Sequence, residues 1–506
     1  MVSLRFATPA LLLLLSGCVV GPDHAPPEMP LPAKFGEGGT KSVGDVATAA
    51  WWTAFNDPKL NGYVQAGLEQ NLTVQQAIER INAASANVTI AGAGGLPSLN
   101  VGASHTISGQ KGELRTQFDT RNTSAGDVQL SWLLDLFGLY KRSTESAAAS
   151  LDSAYASADV AKLTLVQDLV SSYIDVRFYQ QRLALSRANL KSRQETFELT
   201  KFQLEAGAAS RLDVVQAEGL VQSTLAEIPG LETNIRVSAH HIATLLGLPA
   251  SALVNELLRG GGQPVYRGGI NSGIPADLIR NRPDIRVAER DLAAATANIG
   301  VAEAQLYPSI SLSGSISPSY INQRGVHGAL TPWSFGPTLN LPILDGGRLR
   351  ANVKSAQSEA ATAYLNWKST VLTAVEQVEN AFAAVRRDAR TVAALRAQVK
   401  TTQETLELST ASYNDGASSL LDVSRRPAPG FACPGKPCPG RPADGQGLRI
   451  AEHRSRRRLC AGRPGHRARE AGAGKDCQKL IGIAFLENTK PCDRLAGLFS
   501  SRLCTG

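Results

Sequence analysis

Residues 83–104, AASANVTIAGAGGLPSLNVGAS, return as residues 294–315, AATANIGVAEAQLYPSISLSGS. Asn87 pairs with Asn298, Pro97 with Pro308 and Ser98 with Ser309. A second match sets residues 199–218, LTKFQLEAGAASRLDVVQAE, beside residues 408–427, LSTASYNDGASSLLDVSRRP, so that Gly207 meets Gly416 and Leu212-Asp213-Val214 meets Leu421-Asp422-Val423. Two matches at nearly the same spacing, about 210 residues, mean that each half of the chain is one structural unit used twice. The second likeness stops at Val423.

Inside each unit, period-2 segments sit between helical ones. SLNVGASHTI alternates Leu99, Val101, Ala103, His105 and Ile107 with Ser98, Asn100, Gly102, Ser104 and Thr106, and SISLSGSI sets Ile310, Leu312, Gly314 and Ile316 against serines. DVQLSWLLDLFG and GPTLNLPIL repeat the idea. Such alternation suits a sheet with one face in water, or a membrane barrel with lipid outside and water inside. Four strands cannot close a barrel, and an open edge in lipid is forbidden, so a membrane reading demands oligomerisation. Between the strand pairs lie Pro-free runs from about Tyr140 to Ala206 and from Arg348 to about Ser412, bracketed by Gly138 and Gly207, and by Gly346-Gly347 and Gly416. At 1.5 Å per residue each predicts a helix near 100 Å long. Ala, Ser and Gln dominate their faces, as close side-by-side packing requires. The return leg, Arg211 to Leu246, carries Pro229-Gly230, which predicts a break or kink. Earlier, residues 51–87 have helical spacing behind an Asn56-Asp57-Pro58 start signal.

The formal charge of +8 is not spread evenly. From Ser424 onward there are 17 Lys/Arg against 6 Asp/Glu, so the tail carries +11 and the remainder −3. Six of seven cysteines also lie there, Cys433, Cys438, Cys460, Cys477, Cys492 and Cys504; the seventh is Cys18. Six prolines between Pro427 and Pro442 exclude the return helix that the first unit forms after Asp213-Val214. A frameshift near codon 424 accounts for this composition. The rival is an appended basic domain. Its Cys433/Cys438 spacing is allowed for zinc, but no second ordered pair follows. Its Arg454–Arg458 cluster resembles a nucleic-acid patch, a partner that an exported chain does not meet. Adjacent His240 and His241 point in different directions on a helix, so they are not read as a metal pair.

At the other end, Arg5, the apolar run Ala10–Leu15 and Leu15-Ser16-Gly17-Cys18 resemble the signal and lipobox of bacterial lipoproteins. That likeness implies cleavage before Cys18, acylation of its sulfur and, with Val19 in place of a retention Asp, sorting to the outer membrane. Residues 1–17 are then signal peptide and 18–50 an extended, Pro- and Gly-rich acylated segment. Residues 51–270 form the first repeat, 271–423 the incomplete second, and 424–506 the aberrant tail.

Taken with WWTAFNDPKL, SWLLDLFGLYKR, RNRPDIRVAERDLAAATANIGVAEAQLYPSISLSGS and LPILDGGRLRA, the anchor LSGCVVGPDH resembles the TolC-like outer-membrane efflux lipoproteins of the OprM/NodT type. The resemblance implies a helix-dominated membrane barrel protein: a homotrimer whose protomers each give a pair of hairpins to a twelve-stranded barrel and long helices to a periplasmic tunnel. It implies a passive exit duct working with a periplasmic adaptor and an inner-membrane pump. No cofactor is implied beyond lipid on Cys18, and no catalytic constellation argues for an enzyme. The helix turns EAGAASRLDVV and NDGASSLLDVS fall where the family closes its periplasmic tip. Tyr413, Gly416 and Asp422 match aperture positions, with Gly207 and Asp213 their partners in the other tip. Asp213 reads equally well as a helix-start cap. Ser418 and Arg425 stand where the family often has a linking Arg and a second constriction Asp, which predicts weaker tip locking. Leu133 replaces a commonly acidic residue, which predicts a less charged lumen. A non-conducting structural lipoprotein, or the product of a pseudogene, is the alternative.

Overall fold

The computed structural model describes residues 19–32, 34–36, 50–109, 120–266, 281–323 and 325–414. The chain divides into two units, Met1–Arg441 and Pro442–Gly506. The second unit, the signal peptide, Cys18, Gly416, Asp422 and residues 424–506 all lie outside the described residues.

The first repeat opens with a short 3-10 turn, Trp51–Phe55, and helix α1, Pro58–Gln70. Asp57 accepts from the backbone N–H groups of Lys59 and Leu60, and Pro58 supplies a preset φ at the first helical position. Sequence periodicity runs one helix through to residue 87, but the chain breaks at Asn71, which leaves α1 and caps α2, Leu72–Ala93. The Asn71 carbonyl oxygen Oδ1 accepts from Thr73 and Val74 N–H, while its Nδ2 donates to the Leu245 carbonyl at 2.8 Å. A residue that caps one helix and ties down another outweighs the continuity of the pattern. Strands β1 (Ser98–Gly109) and β2 (Thr120–Leu134) follow, then α3, Leu139–Glu205, and its return helix α4, Arg211–Leu245. Of the break or kink expected at Pro229, the break does not occur. The helix runs through it, held against α3 by buried Leu231 and Ile235, so that one missing backbone donor is outweighed by packing on both sides.

After the short helix α5, Val254–Leu258, the second repeat begins with α6, Pro283–Ala304, continues through β3 (Ser309–Ile316), β4 (Ser319–Gln323), β5 (Val326–Leu330) and β6 (Trp333–Asn340), and enters α7, Arg348–Asn414. The symmetry is quantitative: α2 and α6 are 22 residues each, and α3 and α7 are 67 residues each. Both long helices start behind an aspartate, Asp135 directly after β2 and Asp345 five residues after β6. Asp135 accepts from the Tyr140 and Lys141 N–H groups, and Asp345 from those of Gly347 and Leu349. Left-handed Gly138 (φ 80°) and Gly346 (φ 65°) make the turn from strand to helix.

β2 pairs antiparallel with β1 on one side and with β3 and β4 on the other; β3 pairs with β6, and β4 with β5. Val128 faces Ile316 and Ala125 faces Ser319, so the register passes unshifted from β3 to β4. The gaps fall at Pro318 and at Pro332, which lack the N–H a ladder needs. Gly126 N donates to the Pro318 carbonyl at 2.8 Å and Ser317 N to that of Pro332 at 2.9 Å, bridging each gap. The six segments are therefore four strands in two hairpins.

Two cores position these parts. Leu60, Val64, Leu169, Tyr173, Ile235 and Ile242 close α1, α3 and α4 together. Ile285, Trp367, Val371 and Ala374 join α6 to α7, with Met29 and Leu31 of the N-terminal segment packed on them. That segment is a strap. Arg142, 4% exposed, donates to the Val20 and Gly21 carbonyls and pairs with Asp23 and Glu145. His24 meets Glu289 at 2.7 Å, and Phe35 is buried against Phe382. Burial pushes the Glu289 carboxyl up, but hydrogen bonds from Arg290 and His24 outweigh it and hold the group below the usual range.

Candidate functional site

The cross-strand register assigns every strand residue to a face. Directly opposed residues share one side of a sheet, so Val101, Val128, Ile316 and Trp333 form a row, as do Leu99, Leu130, Gly314 and Phe335. Leu134, Ile310 and Leu339 form another. Intervening rows are polar: Asn100, Gln129, Ser315 and Ser334, then Ser98, Ser131, Ser313 and Gly336. Over these rows one face is apolar and the other bears hydroxyls and amides; in the distal rows the contrast fades, with His105, Ser124, Asn122 and Asn322 on the first side and Ile321 and Leu330 on the second. The apolar face is bare, with Val101 76% and Trp333 77% exposed. Leu133 stands in a polar row with Ser311 and Thr338, the only large aliphatic side chain in the polar rows nearest the long helices. Among the described residues, β1 has no strand on its outer edge, and neither do β5 and β6.

About 100 Å away along α3, by the rise of an α-helix, is the first tip. Gly207 takes φ 74°, a conformation costly for any residue with a Cβ, and ends α3. Ser210 then caps α4. Its hydroxyl donates to Asp213 Oδ2 at 2.6 Å and accepts from Asp213 N–H at 3.2 Å, and Asp213 Oδ2 also accepts from Ser210 N–H at 3.0 Å. This is a reciprocal capping box. The hydrogen bonds from the Ser210 side chain and then its backbone hold the Asp213 carboxyl below the ordinary aspartate range. Gly207 and Asp213 thus lie in one turn. In the second tip, Tyr413 lies on the last turn of α7, and Gly416 and Asp422 lie beyond the described residues.

His240 and His241 sit on α4, and the charge of His241 acts on Asp168 of α3, whose carboxyl is pushed up mainly by burial. Among the described residues no three His, Cys, Asp or Glu side chains gather as metal ligands. Sequence reasoning missed the paired junction aspartates, although LDLFG and ILDGG stand at equivalent places in the two repeats. It also missed the strap, whose own Val20 and Gly21 carbonyls accept from Arg142, backbone acceptors that no side-chain pattern records. Among the described residues no helix is long and apolar enough to cross a membrane.

Comparison with known proteins agrees with this geometry. Nodulation protein T of Rhizobium leguminosarum bv. trifolii is 67% identical over 420 residues, covering 83% of this chain and 90% of that protein. Outer membrane protein OprJ of Pseudomonas aeruginosa is 34% identical over 425 residues, covering 82% and 88%. The solved structure of the outer-membrane channel OprN superposes with a TM-score of 0.71 at 31% identity, covering 80% of this chain and 92% of that one. The outer membrane efflux protein family matches residues 63–248 and 274–426, so a bare apolar sheet face, a polar reverse face and two arms of equal length belong to a member of that family.

Proposed function

We propose that the chain is the outer membrane channel component of a tripartite efflux pump, a passive exit duct for small molecules delivered by an inner-membrane transporter through a periplasmic adaptor. The observation that carries this reading is the four-stranded sheet, whose rows nearest the long helices are apolar and bare on one face and polar on the other, and which is open at both edges. Lipid is the solvent for such an apolar face, and closure with like edges is the remedy for open strands. Three copies give twelve strands around a polar lumen, extended by α3, α4, α6 and α7 into a periplasmic tunnel. Cys18 carries the lipid that anchors each protomer. The duct needs no catalytic group, and its partners are a homotrimer, an adaptor, a pump and outer membrane lipid, not nucleic acid.

Asp422 of each protomer would ring the periplasmic aperture together with Tyr413 and Gly416, with Asp213 and Gly207 in the alternate tip, so that carboxylates hold cations and repel anions there. The tail from residue 424 impairs this assembly, since it replaces the return helix of the second repeat. One observation favours the alternative, a non-conducting lipoprotein: among the described residues of α7, only Ser409 is buried beyond Ala374.

Outer membrane fractions of a strain expressing the gene, read in a third frame after codon 423 if that frame continues the helix, provide the test. A heat-modifiable trimer and pump-dependent drug resistance are expected, and Asp422→Ala in that background is expected to raise uptake of a large antibiotic. Monomers facing the periplasm, without resistance, would overturn the duct.

A further inference from the structure

Histidines aside, the described strands carry two charged residues, Arg121 and Asp127, and both stand on β2. The β1–β2 ladder runs without a bulge, from Ser98 facing Ser131 through to Gly109 facing Thr120, so residues an even number apart on β2 share a side. Asp127 and Arg121 therefore lie with Gln129 and Ser131 on the polar side. The described strand residues of the apolar side include no Asp, Glu, Lys or Arg, and apart from these two those of the polar side are neutral.

Asp127 is exposed, and among the described residues it is in no ion pair. Its room comes from Gly102, its cross-strand partner: a Cβ there would collide with Asp127 Oδ1, so the carboxylate lies over bare backbone. Arg121 stands further from the long helices, about 20 Å along the strand.

We infer that Asp127 selects by charge inside the barrel: one carboxylate from each of three copies rings the lumen, enriching small cations and depleting small anions, as a filter separate from the periplasmic tips. This rests on the duct reading, with the polar side turned inward. Twelve strands about 4.8 Å apart and tilted about 40° close on a diameter of about 24 Å, which leaves a carboxylate reaching about 3 Å inward about 9 Å from the axis. The Debye length is about 10 Å at 0.1 M salt and about 3 Å at 1 M. At the lower salt, three charges at that distance enrich a monovalent cation roughly threefold on the axis and deplete an anion by the same factor. At the higher salt their field is confined to the wall. Arg121, about two Debye lengths away at 0.1 M, opposes the ring from the mouth without cancelling it.

The test is the reversal potential of channels formed by the purified full chain in a planar lipid bilayer under a KCl gradient, around 0.1 M and again around 1 M. At the lower salt a cation preference is expected, and Asp127→Asn, which keeps the shape of the side chain, should lower the K+/Cl− permeability ratio at least twofold. Asp127→Glu should preserve the ratio and Arg121→Gln should raise it, and these differences should vanish at the higher salt. Carboxylates at the tips act alike in every variant, so the difference isolates position 127. Channels with the same ratio whether Asp or Asn stands at 127 would overturn the inference and leave the duct standing, and a difference that persists around 1 M would be structural and would overturn it too. If no variant forms channels, the duct fails and the ring with it.

Discussion

The two repeats carry arms of equal length and unequal support. In the first, α3 packs along its return helix, and burial persists toward the tip at Thr200 of α3 and at Ala217, Val221 and Thr224 of α4. In the second, α7 is anchored on α6 through Trp367, Val371 and Ala374, and from there to Asn414 no described apolar side chain is fully buried: Val385 is 45% and Leu408 65% exposed, and Phe382, against Phe35, is half-buried. Equal helix length with sparser packing shows that the 67-residue span is set by Ala-rich, Pro-free sequence between glycine stops, whereas its stability comes from the neighbour. An amphipathic stripe without a partner is a liability.

The largest effect should come from equalising the arms. Placing a copy of residues 211–245 after Val423 restores a partner to α7, and the yield of heat-resistant trimer is expected to rise at least tenfold in gel and light-scattering assays. An unchanged yield would mean that the tail is not the defect. Next, Trp367→Ala removes the main side chain joining α6 to α7, at a cost of roughly 3–5 kcal/mol. Limited proteolysis should then cut α7 before α3; simultaneous cutting would show that the two arms are equally held. Smaller again, Asn71→Ala deletes a cap and the bond to Leu245, costing about 1–2 kcal/mol in denaturant unfolding. The smallest concerns Asp213. Because its carboxyl is held below the usual range, the capping box contributes fully above the unfolded aspartate value near pH 4. That contribution fades as pH falls through the lower folded value. Amide exchange in the first turn of α4 should quicken on acidification over that window, and Asp213→Asn should abolish the dependence.

Much of this architecture is legible in the residues. Glycines at 138, 207 and 346–347 punctuate long runs so strongly that the long helices lie within two residues of their expected bounds, and the period-2 segments became strands. What escaped has physical causes. Asn71 breaks a periodic run because its side chain bonds across 174 residues. Pro229 fails to break one because tertiary packing is stronger than a lost donor. Pro318 and Pro332, which the sequence pattern did not single out, interrupt ladders without shifting register. Of the tips, the S-x-x-D spacing of Ser210 and Asp213 announces its own cap.

The equal lengths of α3 and α7 have a consequence for which mutations such a gene can tolerate. One added heptad lengthens a helix by about 10 Å, so an insertion in α3 alone would push one tip past the other. Length changes in these arms should therefore be accepted only in matched pairs, one per repeat, while single-residue substitutions accumulate freely on the outer faces. Insertions and deletions in this chain belong to the hairpin loops, and the long helices form a ruler whose two copies must be recut together.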